Sequence, residues 1–375
     1  MRFTLSSSAL SSKLGTLAKV INSKNTLSIL DCFLFEIKDS TLTLTASDNA
    51  NMMRCDVELN ECDGEGAFCV PNRIMLTSVK ELPEQPLTFE VDNNTNNIRM
   101  IYQNGNYNII GLSADEYPTQ QPLGGNFTEA TIAAGTLAKN IQRTLFATAN
   151  DELRMIMNGI YFDFKPESLN VVASDGHKMV RNVVLSCQTP EAASFILPKK
   201  PAGLLRSVLS NDSEDMVTMK FNANNAEITF PGGMVSCRLI EGRYPNYASV
   251  IPTDNPNVVT IDRKALMGAL RRVMPFASES TLLIRLRLSM NNIQLTAEDI
   301  DFNTSAAEDV TCEYGGVAMS IGFKGSTLFE ILNNLEGDDV IIELGDPSRA
   351  GVIRPAEQPN GEDILMLIMP MLLND

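Results

Sequence analysis

Apolar positions in this chain switch between two periods. In stretches such as LFEIKDSTLTLTAS (Leu34–Ser47), apolar and polar residues alternate around a short polar tip, the pattern of two half-buried strands joined by a hairpin. Elsewhere the apolar residues recur every three or four positions and predict amphipathic helices. One set, at Ser6–Ile21, Ala134–Ala149 and Asp262–Phe276, follows short strands such as RFTL and VVTI. A second set opens on proline at Pro71–Leu82 and Pro198–Ser210. The third helix of that set, at Lys324–Leu335, follows Gly322–Phe323 instead. Runs of strands interrupted by only two helices per repeat predict an α+β fold with antiparallel sheets and helices on one side.

The pattern recurs three times. LTLTASDNANMMRCDVEL (Leu42–Leu59) is echoed by LNVVASDGHKMVRNVVL (Leu169–Leu185), and more weakly by IQLTAEDIDFNTSAAEDV (Ile293–Val310). The Ala-x-Asp element falls at Ala46–Asp48, Ala173–Asp175 and Ala297–Asp299, offsets of 127 and 124 in a chain of 375 residues. TLAKVI (Thr16–Ile21), TLAKNI (Thr136–Ile141) and GALRRV (Gly268–Val273) keep the same order. So do VPNRIMLTSV, LPKKPAGLLRSV and GFKGSTLFEILNNL, and Tyr117–Pro118 returns at Tyr244–Pro245. Three homologous domains follow, with boundaries at 1–122, 126–252 and 253–375.

Composition narrows the chemistry. Hydrophobic residues make up 44% and charged residues 20%, the balance of a folded protein. No apolar run reaches the roughly 18 residues of a membrane helix, and MRFTLSSSALSSKLG lacks a signal-peptide core; a cytoplasmic protein without membrane contact is expected. The seven cysteines include no CxxC pair, and His177 is the sole histidine, so neither a metal site nor a cofactor is expected. The cysteines read as small, mostly buried thiols.

Charge changes the picture more. The formal net charge is −16, which by default argues against nucleic acid. The six predicted helices, however, carry about +11, leaving about −27 for the remainder. Helix propensity explains the Lys and Arg but not the scarcity of Glu, an equally good helix former. A basic helical face without Trp or Tyr suits phosphate contact independent of sequence. Its candidates are Arg73, Lys139, Arg143, Lys199, Lys200, Arg206, Arg271 and Arg272. Lys324, opening the sixth helix, and Lys24, in the loop NSKNT, join them.

The three-fold repeat, SDGHKMV (Ser174–Val180), GRYPNYASVIP (Gly242–Pro252) and the terminal LIMPML (Leu367–Leu372) resemble the bacterial DNA polymerase III beta-subunit family, the replicative sliding clamps. The likeness covers the whole chain. It implies three repeated clamp domains, sheets outside and two helices each inside, closed head to tail into a ring-forming homodimer around double-stranded DNA. It further implies a non-catalytic processivity factor for the polymerase III catalytic subunit, engaged also by a clamp loader and other proteins bearing clamp-binding peptides. Lys24, Arg73, Lys199 and Lys200 match family positions that face DNA. A peptide cleft carries over onto Met157, Ser174, Gly176, His177, Lys178, Met179, Pro245, Val250, Leu367, Ile368, Met369, Pro370 and Met371, and methionine-rich walls suit a socket shared by several partners. The dimer contact carries over onto an edge strand with Tyr107 and Ile109 against a segment with Met274 and Phe276. Leu372 and Ser249 stand where the family has arginine, and Asn374 and Asp375 are extra.

Two other readings fit the residues less well. An enzyme would have to use His177 with Asp175 and Ser174; on an extended strand Asp175 and His177 share a face and Ser174 points away. GFKGST (Gly322–Thr327) lacks phosphate-loop order. A repeat-built peptide-binding scaffold that never encircles DNA explains the repeats but not the segregation of charge.

Overall fold

The computed structural model describes residues 1–118 and 123–373. Along them one order of elements, strand–helix–three strands, comes six times. The first is β1 (Arg2–Ser6), α1 (Ser7–Leu17), β2 (Cys32–Lys38), β3 (Thr41–Ser47) and β4 (Asn51–Glu58). After a short β5 (Glu61–Asp63) it returns as β6 (Gly66–Pro71), α2 (Asn72–Lys80), β7 (Pro86–Asp92), β8 (Asn97–Tyr102) and β9 (Gly105–Ile110), followed by β10 (Leu112–Ser113). The second repeat runs β11 (Thr128–Ala133), α3 (Ala134–Leu145), β12 (Gly159–Lys165), β13 (Ser168–Ser174) and β14 (Lys178–Val184). It continues with β15 (Ala193–Pro198), α4 (Lys199–Val208), β16 (Met216–Phe221), β17 (Asn225–Phe230) and β18 (Gly233–Arg238). The third has β19 (Asn257–Asp262), α5 (Arg263–Val273), β20 (Leu283–Ser289), β21 (Asn292–Asp299) and β22 (Thr304–Thr311). It closes with β23 (Met319–Lys324), α6 (Gly325–Asn333), β24 (Asp339–Leu344), β25 (Gly351–Pro355) and β26 (Glu362–Ile368). The three repeats read from sequence are thus each a doubled unit. The expected end of the first domain at residue 122 lies outside the described residues.

The chain folds as two compact units, Met1–Ala138 with Lys200–Leu239, and Lys139–Lys199 with Ile240–Asp375. The first holds sheets β5-β1-β7-β8-β9 and β10-β6-β2-β3-β4-β18-β17-β16-β11. The second holds β15-β12-β13-β14-β26-β25-β24-β19 and β22-β21-β20-β23. All these pairings are antiparallel, and strands such as β16 and β24 bury every second residue, so the alternation in sequence is the alternation in space.

One pairing repeats inside both units. The last strand of one module lies against the last strand of a module in the next repeat: β4 on β18, with Met53 opposite Val235, and β14 on β26, with Val180 opposite Met366. Two strands in the corresponding places, β9 and β22, end their sheets without such a partner among the described residues.

The helices lay their apolar stripes on these sheets. Leu10, Leu14 and Leu17 of α1 and Leu266, Leu270 and Val273 of α5 are buried, while Ser6 and Asp262 cap the two N-termini through Ala9 N (3.1 Å) and Ala265 N (2.5 Å). The helices are shorter than their apolar periodicity predicts. The first ends at Leu17 rather than Ile21. The fifth ends at Val273, because Pro275 has no N–H to continue the ladder, and Met274–Phe276 forms a separate 3-10 turn.

Six of the seven cysteines are buried and Cys62 is half-buried. Burial pushes the thiols of Cys55 and Cys187 up to about 11, and that of Cys237 to about 12, which keeps them protonated and unreactive.

Candidate partner cleft and basic helix faces

The second unit contains an apolar cleft of about 340 Å³. One wall is the turn between β13 and β14. The β13 strand stops at Ser174, and Asp175 turns the chain by accepting the N–H groups of His177 (2.8 Å) and Lys178 (2.9 Å) on one carboxylate oxygen. Gly176 takes φ +90° there, and a Cβ on it would lie 2.9 Å from the Arg154 guanidinium. Asp175 and His177 therefore do not share a strand face, which corrects the geometry expected from an extended chain. Ser174 Oγ donates to the Lys178 carbonyl (2.9 Å), and the other Asp175 oxygen pairs with Lys178 Nζ at 3.1 Å. This trio forms a turn and an ion pair, with no hydrogen bond from Ser174 Oγ to His177.

Lys178 is held from two sides, because its ammonium also lies 3.2 Å from Glu330 Oε2 and 5.8 Å from the Phe146 ring. Burial disfavours its charge, but the two carboxylates outweigh that and hold its pKa above the usual lysine value. For Asp175, burial pulls upward while the Lys178 and His177 N–H bonds and the ammonium pull further downward, so its carboxyl sits below the ordinary range.

The floor is a small apolar cluster of Val172, Met179, Tyr244, Ala350, Val352, Leu365 and Leu367. Tyr244 stacks flat on Tyr161, centroids 4.6 Å apart, and Tyr247 is fixed by donating its hydroxyl to Asp163 at 2.6 Å. Met157, Ser174, Gly176, His177, Lys178, Met179, Pro245, Val250, Leu367 and Met369 all line the cleft, as the resemblance implies. Ile368, Pro370 and Met371 do not. Alternation along β26 sends Leu367 to the cleft and Ile368 to the opposite core, at 1% exposure. Met371 leaves the cleft and donates its N–H to the Gly322 carbonyl (2.8 Å) on the edge of β23. Tyr244, Asn246, Tyr247 and Ala350 complete the lining. The two tyrosines lay within quoted motifs, but Tyr244 registered only as a repeat marker; Ala350 carried no signal.

The six helices hold twelve basic residues and one acidic residue, Glu330. None has an acid in its first turn, where the helix dipole would favour one. Arg73, Arg206 and Lys324 stand exposed, as does Lys24 in its loop, and no ion pair engages them among the described residues. Arg271 lies over the Phe329 ring at 4.9 Å, and exposed Arg272 forms a forked pair with Glu308 at 2.6 and 2.9 Å. Lys139 and Lys199 are half-buried; burial and the nearby Lys178 charge lower the Lys199 pKa.

Two of the expected DNA-facing cations are committed elsewhere. Arg143 is 3% exposed and bound to Glu362 (2.6 Å) and Glu336 (3.2 Å), so its charge is spent inside the second unit. Lys200 donates to Asp48 Oδ2 (2.5 Å), the Val20 carbonyl (2.5 Å) and Asn22 Oδ1 (2.6 Å), which uses all three of its protons. Charge read along a helix cannot tell a solvated lysine from one folded back as a strut.

On the expected dimer contact, β9 is a sheet edge, and Tyr107 is half-buried beside Tyr102. The Ile109 side chain is buried within the first unit, and its neighbour Ile110 is the exposed one. Met274 is half-buried and Phe276 exposed. No helix among the described residues is long and apolar enough to cross a membrane, and none of their His, Cys, Asp and Glu groups is placed to hold a metal ion.

Comparison with known proteins covers the full chain. The family models of the DNA polymerase III beta subunit match residues 1–121 (N-terminal domain), 131–246 (central domain) and 248–372 (C-terminal domain). The beta sliding clamp of Pseudomonas putida is 26% identical and that of Pseudomonas aeruginosa 28%, each with both chains wholly covered. The solved Pseudomonas aeruginosa clamp bound to griselimycin superposes with a TM-score of 0.93 at 25% identity, again over 100% of both chains. The Thermotoga maritima beta subunit, 24% identical, shares the fold with a TM-score of 0.89. With its six modules, its basic helices and all three domains matched, the chain belongs to the DNA polymerase III beta-subunit family, whose curated members are the beta sliding clamps.

Proposed function

We propose that two copies of this chain close head to tail into a ring around duplex DNA and that the ring serves as a processivity factor in the bacterial cytoplasm. The observation that carries the reading is the six-fold recurrence of one strand–helix–three-strand module, whose helices together hold twelve basic residues and one acidic residue and whose end strands pair across repeats, with β9 and β22 left as sheet edges among the described residues. Pairing β9 of one copy with β22 of another continues the pattern of β4 with β18 and β14 with β26, and two such joints close a cycle.

Lys24, Lys139, Lys199, Arg206, Arg271, Arg272 and Lys324 supply the DNA contacts. Phosphate contact alone carries no sequence register, so the ring slides. Tight binding is unnecessary where topology prevents escape. The cleft takes a short apolar peptide from the polymerase catalytic subunit, the clamp loader and other replication or repair proteins. Val250 and Met369 already expose apolar surface at its rim, 57% and 44% accessible, for such a segment to cover. The three domains are taken as 1–122, 126–252 and 253–375. The chemistry of synthesis belongs to the polymerase.

The test is topological. Protein loaded on nicked circular DNA is expected to stay bound through a high-salt wash and to run off when the circle is cut. Retention that survives linearisation, or that vanishes in salt on the intact circle, would overturn the ring.

A further inference from the structure

The three Ala-x-Asp elements build the same turn in each repeat, and the three turns differ in where their countercharge comes from. Each aspartate uses one oxygen to accept backbone N–H groups: Asp48 from Ala50 and Asn51, Asp175 from His177 and Lys178, Asp299 from Asp301 and Phe302. The second oxygen of Asp175 meets Lys178, three residues on. At that position the first turn has Asn51, and the second oxygen of Asp48 is met from the next repeat by Lys200, the second residue of α4. The third turn has Phe302 there, so it also lacks a cation of its own. Asp299 is 7% exposed, and no cation reaches it among the described residues.

The next repeat for this turn, in a head-to-tail pair, is the first repeat of a second copy. The helix corresponding to α4 is then α2, and its second residue is Arg73, exposed and without an ion pair among the described residues. The surroundings correspond as well. Lys200 is further bound by Val20 and Asn22, just past the end of α1, and the third repeat has the exposed Phe276 just past the end of α5. Ile300 and Phe302, 84% and 76% exposed on the turn, and Ile74, 50% exposed beside Arg73, offer apolar surface to seal such a joint.

We infer that Arg73 of one protomer pairs with the partner's Asp299, as Lys200 pairs with Asp48 within the chain, and that this contact locks the subunit joint. The inference rests on the head-to-tail reading and assigns Arg73 to the joint rather than to DNA. Arginine fits the role, since its guanidinium can span the carboxylate and a neighbouring carbonyl with fixed donors.

The test is a double-mutant cycle on the full chain, with the dimer dissociation constant read by sedimentation. R73Q and D299N are each expected to raise it at least tenfold, on the order of the cost of truncating one partner of a desolvated charge pair. The amide introduced by D299N keeps an oxygen for the turn, and unchanged melting checks that the hairpin survives. The double variant is expected to be no weaker than the weaker single, because the second change removes nothing further. Wild-type dissociation in either single variant, or penalties that add, would overturn the pair. So would an R73Q protein that dimerises normally yet is lost from circular DNA. A wild-type chain that stays monomeric would instead defeat the ring itself, before either variant is compared.

Discussion

The turns at Asp48 and Asp175 occupy the same place in successive repeats, and their difference separates scaffold from site. Both accept two backbone N–H groups and both pass through positive φ, +77° at Asn49 and +90° at Gly176. Asp48 is closed over by Lys200, whose three bonds tie α4 to the end of α1 and to the turn. Asp175 is neutralised from within its own turn by Lys178. That local pairing leaves Gly176 and His177 exposed at the mouth of the cleft. Where the cation comes from a neighbouring repeat the turn is a covered strut, and where it comes from the turn itself the turn forms the wall of an open cleft.

Breaking the strut has the largest expected effect. Lys200→Glu places a carboxylate against the nearly buried Asp48 and leaves three acceptors without their donor. A loss of about 3–5 kcal/mol is expected from denaturant unfolding, with a lowered midpoint. The corresponding change in the open turn, Lys178→Met, is expected to cost about 1–2 kcal/mol, because Glu330 remains half in solvent. Equal losses at the two positions would mean that the turns are not differently loaded.

The cleft responds in the opposite sense. Met369→Asp is expected to weaken binding of an apolar partner peptide at least thirtyfold, roughly the loss of one central anchor, while stability changes by less than about 0.5 kcal/mol. Fluorescence anisotropy with a labelled peptide and a thermal melt on the same sample read both. Gly176→Ala is smaller and sharper. It forces a Cβ into positive φ and against the Arg154 guanidinium, for a loss of about 1–2 kcal/mol, whereas Asn49→Gly is expected to be nearly neutral.

Acid sharpens the comparison last. Asp48 and Asp175 both have carboxyl pKa values held below the ordinary value, by hydrogen bonds and a lysine acting against burial. Their contribution to stability is therefore complete above the unfolded-chain value of about 3.9 and disappears as pH falls through the lower folded value. Asp175→Asn keeps the turn's acceptor and removes the titration, so its stability is expected to fall less steeply than wild type below about pH 4. An unchanged acid limb would show that Asp175 does not titrate in that window.

Much of this was legible in advance for identifiable reasons. SDGHKMV pointed to Ser174, Gly176, His177, Lys178 and Met179 through the family resemblance it carries, and the turn that presents them is built locally by Asp175 and Lys178. Ile368 was misplaced because an apolar run at a strand end does not announce which residue faces which side. Only the register of β26 on β14, with Lys178 opposite Ile368, sends alternate residues to the groove and the core. Arg143 and Lys200 were misread because their partners, Glu362 and Asp48, lie 219 and 152 residues away.

The sequence by itself determined the three-fold repeat, the α+β class and the concentration of positive charge on the helices, while the cleft residues came from the family resemblance. The repeat is carried by motifs recurring at offsets of 127 and 124 residues, and the fold class and charge by periodicity and composition within short segments. Tertiary structure alone decided that each repeat is doubled and, among the described residues, that β9 and β22 are open edges and which cations are left without an ion pair. Those outcomes depend on hydrogen-bond pairing and ion pairing between segments far apart in the chain, where burial rather than residue type sets what a side chain does.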